Sequence, residues 1–245
     1  MNMKSLFALT LVTAAAAASA TVTTGNTLCR IEVTSPSTET ILAVPLIEIG
    51  GSSQEIAITN LVLASSLSVG DTLMYKDGST WYSWEVNSEH NWEALSTSSG
   101  SQSHSATAGV DAQFTRGSGV WLVRSNTSSN IYLYGQCDSR TTSTSFSAGT
   151  TTSPVYTLMG NPKEEAFAPN SKTWSGCGQG DKIAFADATT GKAKTFTFRT
   201  SENAWCKPTV TKGAATWTIL GEDDTIPAGQ GFWYVSVGGS GSVTW

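Results

Sequence analysis

The feature that most constrains this chain is an internal repeat. Gly117-Ser118-Gly119-Val120-Trp121-Leu122-Val123 matches Gly229-Gln230-Gly231-Phe232-Trp233-Tyr234-Val235 at an offset of 112. The match runs on without a gap, Ile131 falling on Val243 and Leu133 on Trp245. Upstream, the stretch from Val69 to Tyr75 matches that from Gln179 to Phe185 at an offset of 110. Trp84 and Val86 then fall on Phe196 and Phe198, again at 112. Two extra residues in the turn Asp187 to Gly191, compared with Lys76-Asp77-Gly78, account for the change. One such coincidence could be chance; an ordered set implies two copies of one module.

Each copy reads as strands. Thr72 to Lys76 and Tyr82 to Val86 alternate around Asp77-Gly78, a strong hairpin signal. Lys182 to Ala186 and Thr195 to Arg199 repeat the pattern, and Gly, Asn, Asp and Pro punctuate the runs. The expected fold is all-β, two tandem homologous small β-barrel or β-sandwich modules. Residues 1–20 read as a signal peptide, 21–137 as the first module, 138–153 as a Ser/Thr-rich linker with Ser145 to Ser147 as an alternative edge strand, and 154–245 as the second module. Within module one, Ser96 to Ala108 reads as a loop.

The leader is marked by Lys4, the apolar run Ser5 to Ala17 and the small-x-small site Ala18-Ser19-Ala20. It makes the mature protein secreted, extracellular or on the cell surface, with the periplasm as the other destination. Beyond the leader, no apolar run is long enough for a membrane-spanning helix. Charged residues are only 13% of the chain, Ser and Thr supply roughly a quarter, and the net charge is −5. That balance offers no basic footprint for nucleic acid.

Four cysteines, Cys29, Cys137, Cys177 and Cys206, in an exported chain imply two disulfides with three pairings. Zinc is the competing reading, but no C-x-x-C pair exists and neither histidine lies near a cysteine in sequence. Pairing 29 with 137 and 177 with 206 keeps each bridge within one module.

The search for chemistry returns negatives. His90 lies in a turn and His104 in the Ser-rich stretch, with no counterparts in the second copy. No Gly-x-Ser-x-Gly elbow is present, and Gly176 to Lys182 has the wrong spacing for a phosphate loop. Asp71 and Asp181 recur, but each follows a glycine before a strand, which is a turn position. Glu164-Glu165 and Glu222-Asp223-Asp224 are acidic loop clusters with no calcium-loop pattern. No catalytic, metal or cofactor residue is assigned.

The aromatics sort by the repeat. Trp84, Trp121, Trp233 and Trp245 are apolar in both copies and are expected in the core. Trp217 alternates with Ile219 and is expected to point inward. Trp81 has Ala193 as its counterpart and lies on the strand face opposite Trp84. It is either a platform for a sugar ring or an edge aromatic packed under a loop.

Pro227 to Trp233, Gly160-Asn161-Pro162 and Gly180 to Ile183 together resemble an uncharacterised group of secreted or surface β-proteins of verrucomicrobial and planctomycete-type bacteria. The first copy departs from that pattern at Thr115-Arg116-Gly117-Ser118. The resemblance implies export and a surface role and supplies no site residues. The sequence therefore leads to a non-enzymatic structural or adhesive protein of the bacterial surface or matrix, with self-association or surface partners. The alternative is a carbohydrate-binding module that holds polysaccharide on Trp81.

Overall fold

The computed structural model describes residues 28–34, 38–77, 80–98, 101–105, 113–126, 130–187, 189–211 and 214–245. The predicted leader, residues 1–20, lies outside them. The first half contributes β1 (Leu28–Val33), β2 (Glu39–Ala43), β3 (Glu55–Ala57), β4 (Thr72–Asp77) and β5 (Thr80–Val86). It continues with β6 (Trp92–Ser98), β7 (Ser101–Ser105), β8 (Gln113–Thr115), β9 (Gly119–Val123) and β10 (Ile131–Gln136). The second half has β11 (Ser143–Phe146), β12 (Val155–Gly160), β13 (Thr173–Ser175), β14 (Lys182–Ala186) and β15 (Ala193–Arg199). It ends with β16 (Ala204–Thr211), β17 (Ala214–Ile219), β18 (Gly231–Ser236) and β19 (Gly241–Thr244). One short helix, α1 (Ile58–Leu61), follows β3. No helix among the described residues is long and apolar enough to cross a membrane.

The protein is all-β, built from several open sheets. One six-stranded sheet runs β2-β9-β4-β5-β6-β7 and the other β12-β18-β14-β15-β16-β17. In both, the last strand in the chain slots between the first and the second. Leu73 lies across from Leu122 and Trp84 in one sheet, Ile183 across from Tyr234 and Phe196 in the other. Antiparallel pairs flank each sheet, β1 with β10 and β3 with β8 in the first half, and β11-β19-β13 in the second. Neither six-stranded sheet closes into a barrel, because its outermost strand, β7 or β17, pairs on one side only.

Alternation sorts each sheet's residues onto two faces, and one face of each sheet builds its own core. Leu73, Trp84, Phe114 and Leu122 belong to one cluster; Ile183, Phe196, Trp205, Phe232 and Tyr234 belong to the other. Asp71 and Asp181 are nearly or fully buried before β4 and β14. Asp71 accepts from the Ser68 and Ser125 amides, and Asp181 from those of Gly178, Val237 and Gly238. The turn role expected of both is met: each carboxylate ties the turn before its strand to the loop after the strand beside it.

The two halves meet at their Gly-x-Gly corners. The Ala43 amide donates to Gly229 O at 2.8 Å, and the Gly160 amide to Gly117 O at 2.9 Å. Gly117 and Gly229 have φ of +88° and +72°, and a Cβ on either would lie 2.6 Å from an atom of the opposite half, Thr144 Oγ1 or Val33 Cγ2. Glycine is required there by conformation and by space together.

Arg116, which the sequence match aligns with Ala228, is fully buried beside this junction. Its guanidinium donates to Pro162 O, Gln54 Oε1, Arg140 O, and both the carboxylate and carbonyl of Asp138. Burial alone would raise the Asp138 pKa. Donors from Arg140 and Gln54 and the Arg116 charge reverse that and hold the carboxyl well below its ordinary range.

Three expectations need correction. The segment 138–153 is more than a linker: Ser143–Phe146 pairs with β19, and Phe146 enters the second core. Ser96 to Ser105 is hairpin rather than loop, since β6 pairs with β7 in register from Ala94↔Ser105 to Ser98↔Ser101; residues 106–108 lie outside the described set. Cys29 and Cys137 form a disulfide with Cα atoms 5.7 Å apart, but Cys177 and Cys206 are free. The reason is the sidedness of β16. Trp205 faces the second core, against which Cys177 also packs, so its neighbour Cys206 faces the other way.

Candidate functional site

Trp121 and Trp233 are not core residues. On β9 it is Val120 and Leu122 that are buried in the first core, and on β18 it is Phe232 and Tyr234 in the second. The tryptophan between each pair therefore points to the opposite face of its sheet. Trp84 and Trp245 do lie in the cores, as expected.

The two outward indoles meet Trp81. Ring centroids are 6.3 Å apart for Trp81–Trp121, 6.1 Å for Trp81–Trp233 and 6.3 Å for Trp121–Trp233. Tyr156 of β12 adds a fourth ring, edge-on to Trp233 at 6.0 Å. Trp81 is 45% exposed and Tyr156 48%. The cluster is composite, with Trp81 and Trp121 from the first sheet and Trp233 and Tyr156 from the second. Ile41 lies across from Trp121 and Leu158 across from Trp233; both are buried, and neither belongs to a core cluster. Tilted and edge-to-face arrangements at these distances are favourable ring packings.

Lys76 completes the margin. It lies across from Trp81 in the β4–β5 ladder, donates from Nζ to Tyr156 O at 2.9 Å, and has Nζ 6.0 Å from the Trp81 ring centroid. An ammonium over an indole is attracted by the ring's negative face. Rigid aromatic faces beside a hydrogen-bond donor suit a ligand with apolar C–H faces and polar rims.

Other candidates are committed elsewhere. His90 is exposed at φ +56° in a turn closed by Asn87, and the His104 side chain lies outside the described residues. Asp224 pairs with Lys207 at 2.7 Å, while Glu222 and Asp223 are exposed. The Tyr234 hydroxyl donates its one proton to Asp181 at 2.7 Å and lies 3.4 Å from Cys177 Sγ. Burial pushes the Cys177 thiol up to about 11, which makes it a poor nucleophile. Glu164 comes within 4.8 Å of the Cys29 and Cys137 sulfurs, but the disulfide uses both as its bond partners.

Trp217 is also misplaced by the inward expectation. It is 38% exposed and Ile219 53%, because β17 is the outermost strand of its sheet. The Arg199 guanidinium lies 5.0 Å from the Trp217 ring centroid. Sequence reasoning singled out Trp81 but missed Trp121, Trp233 and Tyr156 as its neighbours. The available signal was alternation, which puts Trp121 and Trp233 out of phase with the apolar residues flanking them. No known family model matches this chain, and neither does any curated protein or solved structure.

Proposed function

We propose that this is an exported, non-enzymatic adhesive protein of a bacterial surface or matrix that holds polysaccharide on the Trp81–Trp121–Trp233–Tyr156 cluster. The observation that carries this reading is the clustering itself. Two exposed rings from different halves of the chain are held beside two half-buried indoles, although burying all four would be favourable. The Cys29–Cys137 disulfide is compatible with export. The common strand order of the two six-stranded sheets supports a duplicated module, whose junction forms the site.

The test is retention on insoluble polysaccharides, with wild type beside Trp81→Ala and Tyr156→Ala. Loss of retention in both variants, with unfolding midpoints unchanged, supports the platform; equal retention removes it. A second reading, self-assembly, rests on β17. Its residues Thr216 to Ile219 are all exposed on an edge strand, and none is charged. Sedimentation of Thr218→Lys against wild type tests it, and a wild type that stays monomeric at high concentration removes it.

A further inference from the structure

The outer face of the second six-stranded sheet continues outward from the aromatic cluster, and its charges are of one sign. The lateral row through the sheet runs Tyr156, Val235, Lys182, Thr197, Cys206 and Ile219 from β12 to β17. Directly opposed residues on neighbouring strands share a face. The same face carries Trp233 and Leu158 one row over, Trp217 across from Pro208, and Arg199 at the end of β15. No Asp or Glu occupies a position on this face of β12, β14, β15, β16, β17 or β18, in a chain whose net charge is −5. The first sheet is different: Glu85 lies across from Glu93 on the face that carries Trp81.

The second face itself offers Lys182, and Lys76 of β4 in the first sheet stands beside it at the aromatic cluster. Lys182 is exposed, and among the described residues neither Lys182 nor Lys76 has a carboxylate partner. Arg199 is shared between the Trp217 ring and Glu202, which it meets at 3.1 Å. Six strands at about 4.8 Å spacing span roughly 24 Å, long enough for several sugar units. Aromatic rings stand at both ends of that span, Trp233 and Tyr156 at one and Trp217 at the other.

The geometry points to an acidic polysaccharide, one bearing uronate or sulfate groups, lying across the second sheet from the Trp81 cluster to Trp217. Lys76 and Lys182 meet its anionic groups while the rings stack on its sugar faces. This rests on the platform reading above and narrows it to one charge class. A carboxylate-free face does not repel an anionic chain, so the protein's negative surface elsewhere orients the polymer onto this sheet.

The experiment compares wild type, Lys182→Met, the double variant Lys76→Met/Lys182→Met, and Trp81→Ala. Each is run by affinity electrophoresis in polygalacturonate, alginate and neutral amylose or xylan, at 50 and 300 mM NaCl. Retardation is expected in the acidic polymers, weakened by salt and reduced about 3- to 10-fold in the double variant. Equal retardation in neutral and acidic polymers, with the lysine variants unchanged, overturns the acidic assignment; if Trp81→Ala then abolishes retardation, the platform reading stands. No retardation of wild type in any polymer overturns both. A circular dichroism melt of Lys182→Met confirms that the exposed substitution leaves the fold intact.

Discussion

Replacing Arg116 by Met should destabilise the protein by about 2–4 kcal/mol, and the reason lies in which groups lose their donors. Methionine has similar length and is apolar, so the substitution removes hydrogen bonds while leaving little cavity. Asp138 keeps Arg140 and Gln54 as donors. The carbonyls of Asp138 and Arg140 keep Lys163. Pro162 O, which accepts from both Nε and Nη2 of Arg116, loses both. One orphaned buried carbonyl costs about 1–3 kcal/mol, and Gln54 Oε1, which also loses its Arg116 donor, adds about 1 kcal/mol. The assay is urea unfolding at pH 7, followed by tryptophan fluorescence on the oxidised protein. Arg116→Lys restores charge without the planar fork and should recover only part of the loss. A Met variant within about 1 kcal/mol of wild type would refute the reasoning, because the guanidinium's own desolvation would then cancel its bonds.

Acid should weaken this junction in a defined window. Because the folded Asp138 pKa lies below its unfolded value near 3.8, its contribution is complete above that pH and is lost as pH falls below it; Asp138→Asn should flatten the fall in urea midpoint on acidification. Glu164 has the opposite sign: burial raises its carboxyl, so ionising it costs stability as pH rises above 4.5, and Glu164→Gln should raise the midpoint at pH 7 but not below pH 4. Thiol titration of the oxidised, denatured protein should find Cys177 and Cys206 both free, and peptide mapping should find only the 29–137 bridge. Cys29→Ser should cost about 2–5 kcal/mol, since the bridge closes a long loop; an unchanged midpoint would mean that the loop is held without it.

The sequence by itself determined a good deal of this protein. Period-2 alternation around Asp77-Gly78 located the β4–β5 hairpin, and the repeated Gly-Asp pairs marked the buried turns at Asp71 and Asp181. These are local matters, set by backbone sterics and by side chains within a few residues, so they can be read along the chain. What the repeat could not say was which way a repeated residue faces. Trp121 and Trp233 are equivalent in sequence, and equivalence shows only that two environments are alike. A sheet has two faces, and both can be apolar at equivalent positions when one builds a core and the other a junction. The same gap misplaced Cys206, whose side of β16 faces away from Cys177, and Trp217, which stands exposed on the outermost strand of its sheet. Tertiary packing decided those sides, between the halves for Trp121 and Trp233 and within the second half for Cys206 and Trp217, because burial depends on residues far away in the chain. That packing also brought Trp81, Trp121, Trp233 and Tyr156 together, across a separation in sequence that no local pattern spans.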